Sequence, residues 1–136
     1  MPTVIAGMTA LEMAKSMPDM SPAQAEKARM VGMKIKEALS KSYAAGVQIA
    51  FGTDMGVGPH GQNAREFALM VECGMKPADT VKAATVTASK LLDIADEVGT
   101  IAPGKSADII AVDGNPLEDV RTLERMQFVI ARGVIA

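Results

Sequence analysis

The chain is poor in aromatic residues and in cysteine. Its 136 residues include three phenylalanines, one tyrosine, no tryptophan and one cysteine. The single cysteine, Cys73, excludes an internal disulfide framework, and a buried free thiol is its expected state. Because eleven methionines stand against so few aromatic rings, we expect flexible methionine side chains to fill much of the hydrophobic core.

The chain also lacks blocks of one charge and long hydrophobic runs. Its formal net charge is -2 at pH 7, and no cluster of Lys and Arg gives a reason to expect nucleic acid or a membrane as partner. No apolar run approaches the roughly 20 residues of a membrane span, and no secretory signal is visible. Hydrophobic residues make up 49%, which argues against disorder. We therefore predict a folded, cytoplasmic protein.

The most informative stretch is residues 47–63. An apolar run breaks at Gly52 and is followed by Thr53 and Asp54, which open a glycine-rich loop carrying the only histidine, His60. A buried strand that ends in an acid and leads into a loop and a helix presents its carboxylate at the functional rim of a parallel α/β protein. The alternative is that Asp54 caps the next helix or closes a turn.

Side-chain alternation adds detail to the predicted strand at residues 47–52. If Asp54 points inward, the small residues Ala50 and Gly52 lie on its face. The bulky residues of the opposite face would then pack outward against helices; they are Val47, Ile49 and Phe51. This pattern is typical of a barrel strand with Asp54 at its C-terminal end.

Two elements are predicted before this stretch. Residues 3–6 form a β-branched run typical of a short strand, and a weak helical pattern after it is expected to stop near Pro18. A helix then starts with Ser21 as N-cap, Pro22 at the first position and Gln24 completing a capping box. Its apolar stripe ends before Gly46 and consists of Ala28, Val31, Ile35, Leu39 and Tyr43.

Short helices and then strands are predicted after the loop. Asn63 and Glu66 repeat the capping-box spacing at the start of a helix that Gly74 ends. Pro77 opens another helix, with an apolar stripe of Val81, Ala84, Ala88 and Leu91 or Leu92. Apolar β runs follow at residues 107–112 and 128–135, the second interrupted at a glycine. The change from helices to strands predicts a boundary near residue 98.

Five motifs carry a family resemblance. Three are C-terminal: AATVTASKLL at residues 83–92, GTIAPGKSAD at 99–108 and VDGNPL at 112–117. With FGTD at residues 51–54 and PHGQN at 59–63, they resemble the metal-dependent amidohydrolase superfamily, in its imidazolonepropionase-like and prolidase-like branch. The resemblance covers the chain from Pro2 to Gly133, with the motifs in the family's order and spacing.

The resemblance implies an α/β fold that is only part of a larger one. Residues 1–98 are similar to the C-terminal part of a (β/α)8 TIM barrel, and residues 99–136 to the C-terminal part of a small composite β-sandwich. Within the barrel part, residues 3–6 match strand seven, residues 22–45 the following helix and residues 47–52 strand eight. Because these strands would have open edges, we expect the remainder of the barrel or another copy of the chain to cover them, and a lone monomer to be poorly stable.

The resemblance also implies a metal site, with Asp54 as both metal ligand and catalytic residue. In the family, the matching aspartate binds a divalent metal, with zinc as the expected ion here, and transfers protons. The other family ligands are a His-x-His pair, a carboxylated lysine and two further histidines, which this chain lacks. A catalytic zinc takes about three protein ligands, so most ligands must lie outside this chain, which is predicted to be inactive alone.

The other polar residues are predicted to have structural roles, except His60, for which two roles are possible. His60 does not match a family metal ligand, and it either binds substrate or holds the loop in place. Asn63 is predicted as a helix cap rather than a substrate contact. Asp108 and Asp113 are predicted as turn residues of the sandwich, and Lys105 as a solvated turn residue.

The implied function is metal-dependent hydrolysis of an amide C–N bond in a small molecule of dipeptide or N-acyl amino acid type. Within enzymes, the alternative is opening of a cyclic amide, as in imidazolonepropionase. Outside enzymes, the alternative is a structural or oligomerising fragment. A partner chain bearing His-x-His would favour the enzyme, whereas stable folding without metal would favour the structural fragment.

Overall fold

The chain combines helices with a small antiparallel sheet. The computed structural model describes residues 1–16 and 21–136. Two helices come first, α1 at Val4–Ser16 and α2 at Pro22–Ala44. Shorter helices follow: α3 at Arg65–Glu72, α4 at Pro77–Ala84 and α5 at Val86–Leu91. The strands are β1 at Ile109–Val112, β2 at Met126–Ala131 and β3 at Val134–Ile135. Two 3₁₀ turns lie at Met55–Val57 and Val120–Glu124.

Helix α2 begins as its local sequence predicts. The Ser21 hydroxyl accepts the backbone N–H of Gln24 at 3.3 Å, and the Gln24 side chain accepts the N–H of Ser21 at 3.1 Å, which confirms the capping box. Its apolar stripe is only partly buried, because Leu39 is in the core but Val31 is exposed. The predicted stop at Pro18 lies outside the described residues.

The predicted strand at residues 3–6 is wrong, because helix α1 begins at Val4. The first helical amides need acceptors, and the carboxylate of Glu66 supplies them by accepting the N–H groups of Val4 at 2.9 Å and Ile5 at 2.6 Å. Four β-branched or small residues carry too weak a strand preference to outweigh this tertiary contact.

The predicted strand at residues 47–52 is not observed as a strand either. These residues have no regular secondary structure, and the backbone N–H of Phe51 donates to the carbonyl of Ala83 rather than to a neighbouring strand. A β-strand is stabilised by hydrogen bonds to a neighbouring strand, and the described part of the chain has no such neighbour here. The packing follows the prediction in part: Ile49 and Phe51 pack against the core, whereas Val47 is exposed.

The main core joins both halves of the helical region. It contains buried side chains from α1, α2, α3 and α4 and from the turn after α3, namely Val4, Leu39, Met70, Cys73, Met75 and Ala83. The prediction of a buried thiol at Cys73 is therefore confirmed. Methionines contribute as expected, since Met70 and Met75 are buried, although Met30 and Met33 on α2 are exposed.

The predicted helix after Pro77 is interrupted. Thr85 leaves helical geometry at φ -120° and ψ -90°, so α4 and α5 are separate helices. The break shifts the buried face to Thr80, Ala83 and Ser89 and leaves Leu91 and Leu92 exposed, which corrects the predicted stripe. A single apolar stripe along both helices is not possible, because the break at Thr85 interrupts the helical geometry.

The three strands form one antiparallel sheet in the order β1-β2-β3. Asp108 closes its end, because the carboxylate accepts the backbone N–H of Arg132 at 2.7 Å in the turn before β3. Asp113 lies in the bend after β1, as predicted. The prediction of Lys105 as a solvated turn residue is wrong. Its ammonium donates to the carbonyls of Ala95 at 2.6 Å and Val98 at 3.5 Å, and so connects the turn to the preceding segment.

Among the described residues, no helix combines the length and apolar character needed to cross a membrane.

Candidate active site

The predicted site residues, Asp54 and His60, lie in one loop at residues 53–63, the Asp54 loop. Asp54 follows the core-packed segment and has a left-handed backbone, with φ 49° and ψ 43°. It stands at the N-cap position of the 3₁₀ turn Met55–Val57, but its side chain makes no capping hydrogen bond. The carboxylate is exposed and has no hydrogen bond or ion pair with any described residue. The capping role is thus not observed, and no described residue occupies the carboxylate.

Asp54 itself needs no glycine for this conformation, because aspartate is one of the few side chains that tolerate the left-handed region. Such a conformation is nevertheless held by its surroundings rather than by its own preference. The loop supplies two kinds of anchor, one by packing and one by hydrogen bonding.

Packing fixes the middle of the loop against helix α1. The side chain of Met55 is buried, and Gly58 lies so close to α1 that an added Cβ would stand 2.9 Å from Cγ2 of Thr9. Only glycine permits this approach without movement. The loop backbone therefore lies directly on α1, which in turn is held by Glu66.

A hydrogen bond joins the two ends of the loop. The Asn63 side-chain amide donates to the hydroxyl of Thr53 at 3.1 Å. The prediction of Asn63 as a helix cap is wrong, because α3 begins at Arg65 with Ala64 at its N-cap and no side-chain cap. Glu66 does not complete a capping box either, since its carboxylate turns to α1. Both residues have the local spacing of a cap, and both are used for long-range contacts.

His60 lies in the turn between Pro59 and Gly61, the latter at φ 92°. Its side chain is exposed and has no hydrogen bond with any described residue, so nothing in the described chain uses it as a loop anchor. Its assignment to substrate binding stays a prediction.

Glu66 is the buried charge behind the loop. The residue is 0% exposed, and burial raises the pKa of its carboxyl group from 4.5 to about 6, while the N–H groups of Ile5 and Val4 oppose that rise. Sequence reasoning missed this role because a glutamate three residues after Asn63 has the spacing of a capping box. Its partners lie 61 and 62 residues away, where no local pattern indicates them.

No group of three or more His, Cys, Asp and Glu side chains in the described part of the chain could hold a metal ion. These residues alone therefore do not fit a catalytic zinc site, which takes about three protein ligands. Asp54, whose exposed carboxylate pairs with no described residue, could supply one ligand to a site completed elsewhere.

An open apolar groove lies elsewhere, between helices α4 and α5 and strand β1. It has a volume of about 590 Å³, and its lining includes Ala84, Ala88, Leu92, Ile94, Ile101 and Ile109. Asp54 and His60 are not among the lining residues, so the groove is separate from the candidate site. Ile101 lies at the edge of the groove and is 86% exposed, so a large apolar side chain stands almost entirely in water.

Comparison with known proteins identifies the class. Residues 4–136 match the model of the amidohydrolase family. The chain therefore belongs to the amidohydrolase family, and the predicted family membership is confirmed.

Individual relatives agree with this assignment. Ochratoxinase from Aspergillus niger is 40% identical over 84 residues, which cover 59% of this chain and 17% of that protein. Imidazolonepropionase from Fusobacterium nucleatum subsp. nucleatum is 34% identical over 76 residues, covering 54% of this chain and 18% of that protein. The crystal structure of a Xaa-Pro dipeptidase with bound methionine in the active site is 44% identical, with a TM-score of 0.91, and covers 99% of this chain.

The relatives are much longer than this chain. It spans 33% of the Xaa-Pro dipeptidase structure and under a fifth of the two curated relatives. The mixed helix and strand architecture is thus shared with about a third of the Xaa-Pro dipeptidase structure.

Proposed function

We propose that this chain is part of a metal-dependent hydrolase that cleaves the amide C–N bond of a dipeptide or an N-acyl amino acid. One observation carries the proposal: the chain belongs to the amidohydrolase family, and Asp54 presents an exposed carboxylate that no described residue binds, on a loop anchored to the core. The similarity to a Xaa-Pro dipeptidase supports a small peptide-like substrate. In this assignment residues 1–98 belong to a barrel and residues 99–136 to a β-sandwich.

Asp54 acts in this proposal as general base and then general acid. Its carboxylate accepts a proton from the attacking water and returns it to the nitrogen of the leaving amine, so that the C–N bond breaks with a neutral leaving group. A divalent metal, zinc in our proposal, would supply the activated water when bound. His60, on the same loop, would contact the substrate.

The remainder of the barrel is the partner this proposal requires. Most metal ligands must come from it, because the described residues supply no cluster of three. The apolar groove beside β1 and the exposed Ile101 support a covering polypeptide, which could also be a second copy of the chain. This chain spans only 33% of the Xaa-Pro dipeptidase structure, which supports the remainder of the barrel as the covering polypeptide.

Opening of a cyclic amide is the second candidate reaction. The imidazolonepropionase relative favours it, at 34% identity. Both reactions need a base at the attacking water, so Asp54 has the same role in each. The substrates distinguish them, since one is linear and the other cyclic.

The test combines the chain with a polypeptide that supplies the remaining barrel strands, loaded with zinc. A panel of Xaa-Pro dipeptides, N-acyl amino acids and cyclic amides is then offered to the complex. The proposal expects turnover of a linear substrate that is lost when the chain is left out. A complex that forms but turns over none of the panel would favour a structural role, and turnover of cyclic amides alone would favour the second candidate.

A further inference from the structure

The Asp54 loop is built from residues that do not hold a conformation by themselves. Gly56, Gly58 and Gly61 lie within it, and glycine has more accessible backbone conformations than any other residue. Asp54 must nevertheless keep a left-handed backbone for its carboxylate to point in one direction. The orientation of the carboxylate therefore depends on the contacts that fix the loop.

Those contacts divide between the middle of the loop and its ends. Met55 and Gly58 fix the middle on helix α1 by packing. Among the described residues, the side-chain hydrogen bond that joins one end to the other is that of Asn63 with Thr53. Thr53 directly precedes Asp54, so this bond holds the residue whose backbone leads into the left-handed turn.

The side chain of Asn63 is not used by the helix that follows it, whereas its backbone carbonyl accepts the N–H of Glu66 at 3.1 Å. Helix α3 has Ala64 at its N-cap and no side-chain cap, so the Asn63 amide is free to serve the loop. It also leaves the Asp54 carboxylate alone, because it bonds the neighbouring hydroxyl instead, and no other described side chain bonds that carboxylate. A donor that bound Asp54 itself would occupy the group that the proposed reaction requires.

We propose that Asn63 is a positioning residue, which holds Asp54 in its productive orientation by bonding Thr53 across the loop. This inference rests on the proposed function of Asp54 and adds to it the residues that orient the base. It also predicts that the hydroxyl of Thr53, and not merely its bulk, is required.

The experiment uses the assembled enzyme, with the remaining barrel and zinc present. Asn63→Ala removes the donor, and Thr53→Val removes the acceptor while keeping the shape of the side chain. Thr53→Ser keeps the hydroxyl and serves as the conservative rescue. Gln62→Ala is the matched control, because it removes the 2.7 Å hydrogen bond to Arg65 in the same loop without affecting the bond between its ends.

We expect Asn63→Ala and Thr53→Val each to lower kcat by about 10- to 100-fold, since small displacements of a catalytic group have effects of this size. KM should change by less than about threefold, because substrate binding does not use this bond. The double variant should be no slower than either single variant, since both remove one interaction. Thr53→Ser and Gln62→Ala should stay close to the wild type.

Two results would overturn the inference: Asn63→Ala with the kcat of the wild type, or losses that add in the double variant. The variant Asp54→Asn separates this from failure of the proposed function, because it removes the base itself. An active Asp54→Asn enzyme would mean that the proposed function has failed, whereas an inactive one together with an unaffected Asn63→Ala enzyme would refute only the positioning role. Amide hydrogen exchange gives a readout without activity. Exchange at residues 54–56 should be faster in Asn63→Ala and Thr53→Val but not in Gln62→Ala, and unchanged exchange would also refute the positioning role.

Discussion

The carboxylate of Glu66 accepts the backbone N–H of Ile5 at 2.6 Å, and its other oxygen accepts that of Val4 at 2.9 Å. A fully buried side chain of α3 thus serves as the cap of helix α1, although α1 lies far away in the sequence. This contact positions the surface on which Gly58 and the Asp54 loop rest.

The first prediction concerns the pH dependence of stability. The pKa of Glu66 is raised in the folded state to about 6, from 4.5, so folding favours its protonated form. Its contribution is therefore fully present below pH 4.5 and is lost as the pH rises through 6. The loss amounts to about 2 kcal/mol in the free energy of unfolding.

Urea unfolding at a series of pH values measures this effect. Glu66→Gln should remove the difference between pH 4.5 and pH 7 that the wild type shows, whereas Glu97→Gln, at an exposed site, should retain it. A Glu66→Gln variant with the full pH dependence of the wild type would show that another group is responsible. Glu66→Ala should be less stable at every pH, by about 1–3 kcal/mol for each N–H left unpaired.

The second prediction concerns the contact between the loop and α1. Gly58→Ala should destabilise the protein by about 1–3 kcal/mol, because the new methyl group would lie 2.9 Å from Cγ2 of Thr9. Gly56→Ala is the matched control two residues away, since nothing lies within 4 Å of its added Cβ. Thermal unfolding compares the two. Thr9→Ser, which removes Cγ2, should restore part of the loss, and equal effects of both glycine variants would contradict the packing explanation.

Local chemistry made part of this structure predictable. The capping box at Ser21 and Gln24 and the glycine at residue 46 determine both ends of α2 within a few residues of chain. The strands β1 and β2 were also predicted, because each pairs with a neighbour inside the chain. Each of these elements has a strong local signal, and each strand has its partner within the described residues.

The errors arise where the stabilising contact is distant in the sequence or is not made among the described residues. A helix begins at Val4 because Glu66 caps it, and residues 47–52 have no strand partner in the part of the chain that the structure describes. The sequence predicts Asn63 as a helix cap because an asparagine side chain can cap a helix as well as it can bond across a loop. For the candidate site, the sequence indicated Asp54 and its loop, but the bond that joins the loop ends depends on a contact over ten residues.

The third prediction concerns the chain by itself. With zinc added, the purified 136-residue polypeptide should not hydrolyse dipeptides or N-acyl amino acids, because its described residues offer no three-ligand metal site. Turnover above a blank of metal alone, together with its loss in Asp54→Ala, would contradict this.

The fourth prediction concerns association. The open groove at β1 and the exposed Ile101 should make a lone monomer poorly stable, so that the chain associates with the remaining barrel or with itself. Light scattering gives the mass, and thermal melting gives the stability. A compact monomer that melts cooperatively near about 60 °C, in the usual range of mesophilic domains, would be evidence against it.

The most direct test of the whole account is the turnover of Asp54→Asn in the assembled enzyme. The amide keeps the shape of the side chain but removes its charge and its basic oxygen. We predict that kcat falls by about 10²- to 10⁴-fold, the usual effect of losing a general acid–base group. The unfolding temperature should not change, because the Asp54 side chain makes no contact that stabilises the described fold. Turnover within a factor of a few of the wild type would contradict the assignment of Asp54 as the catalytic base.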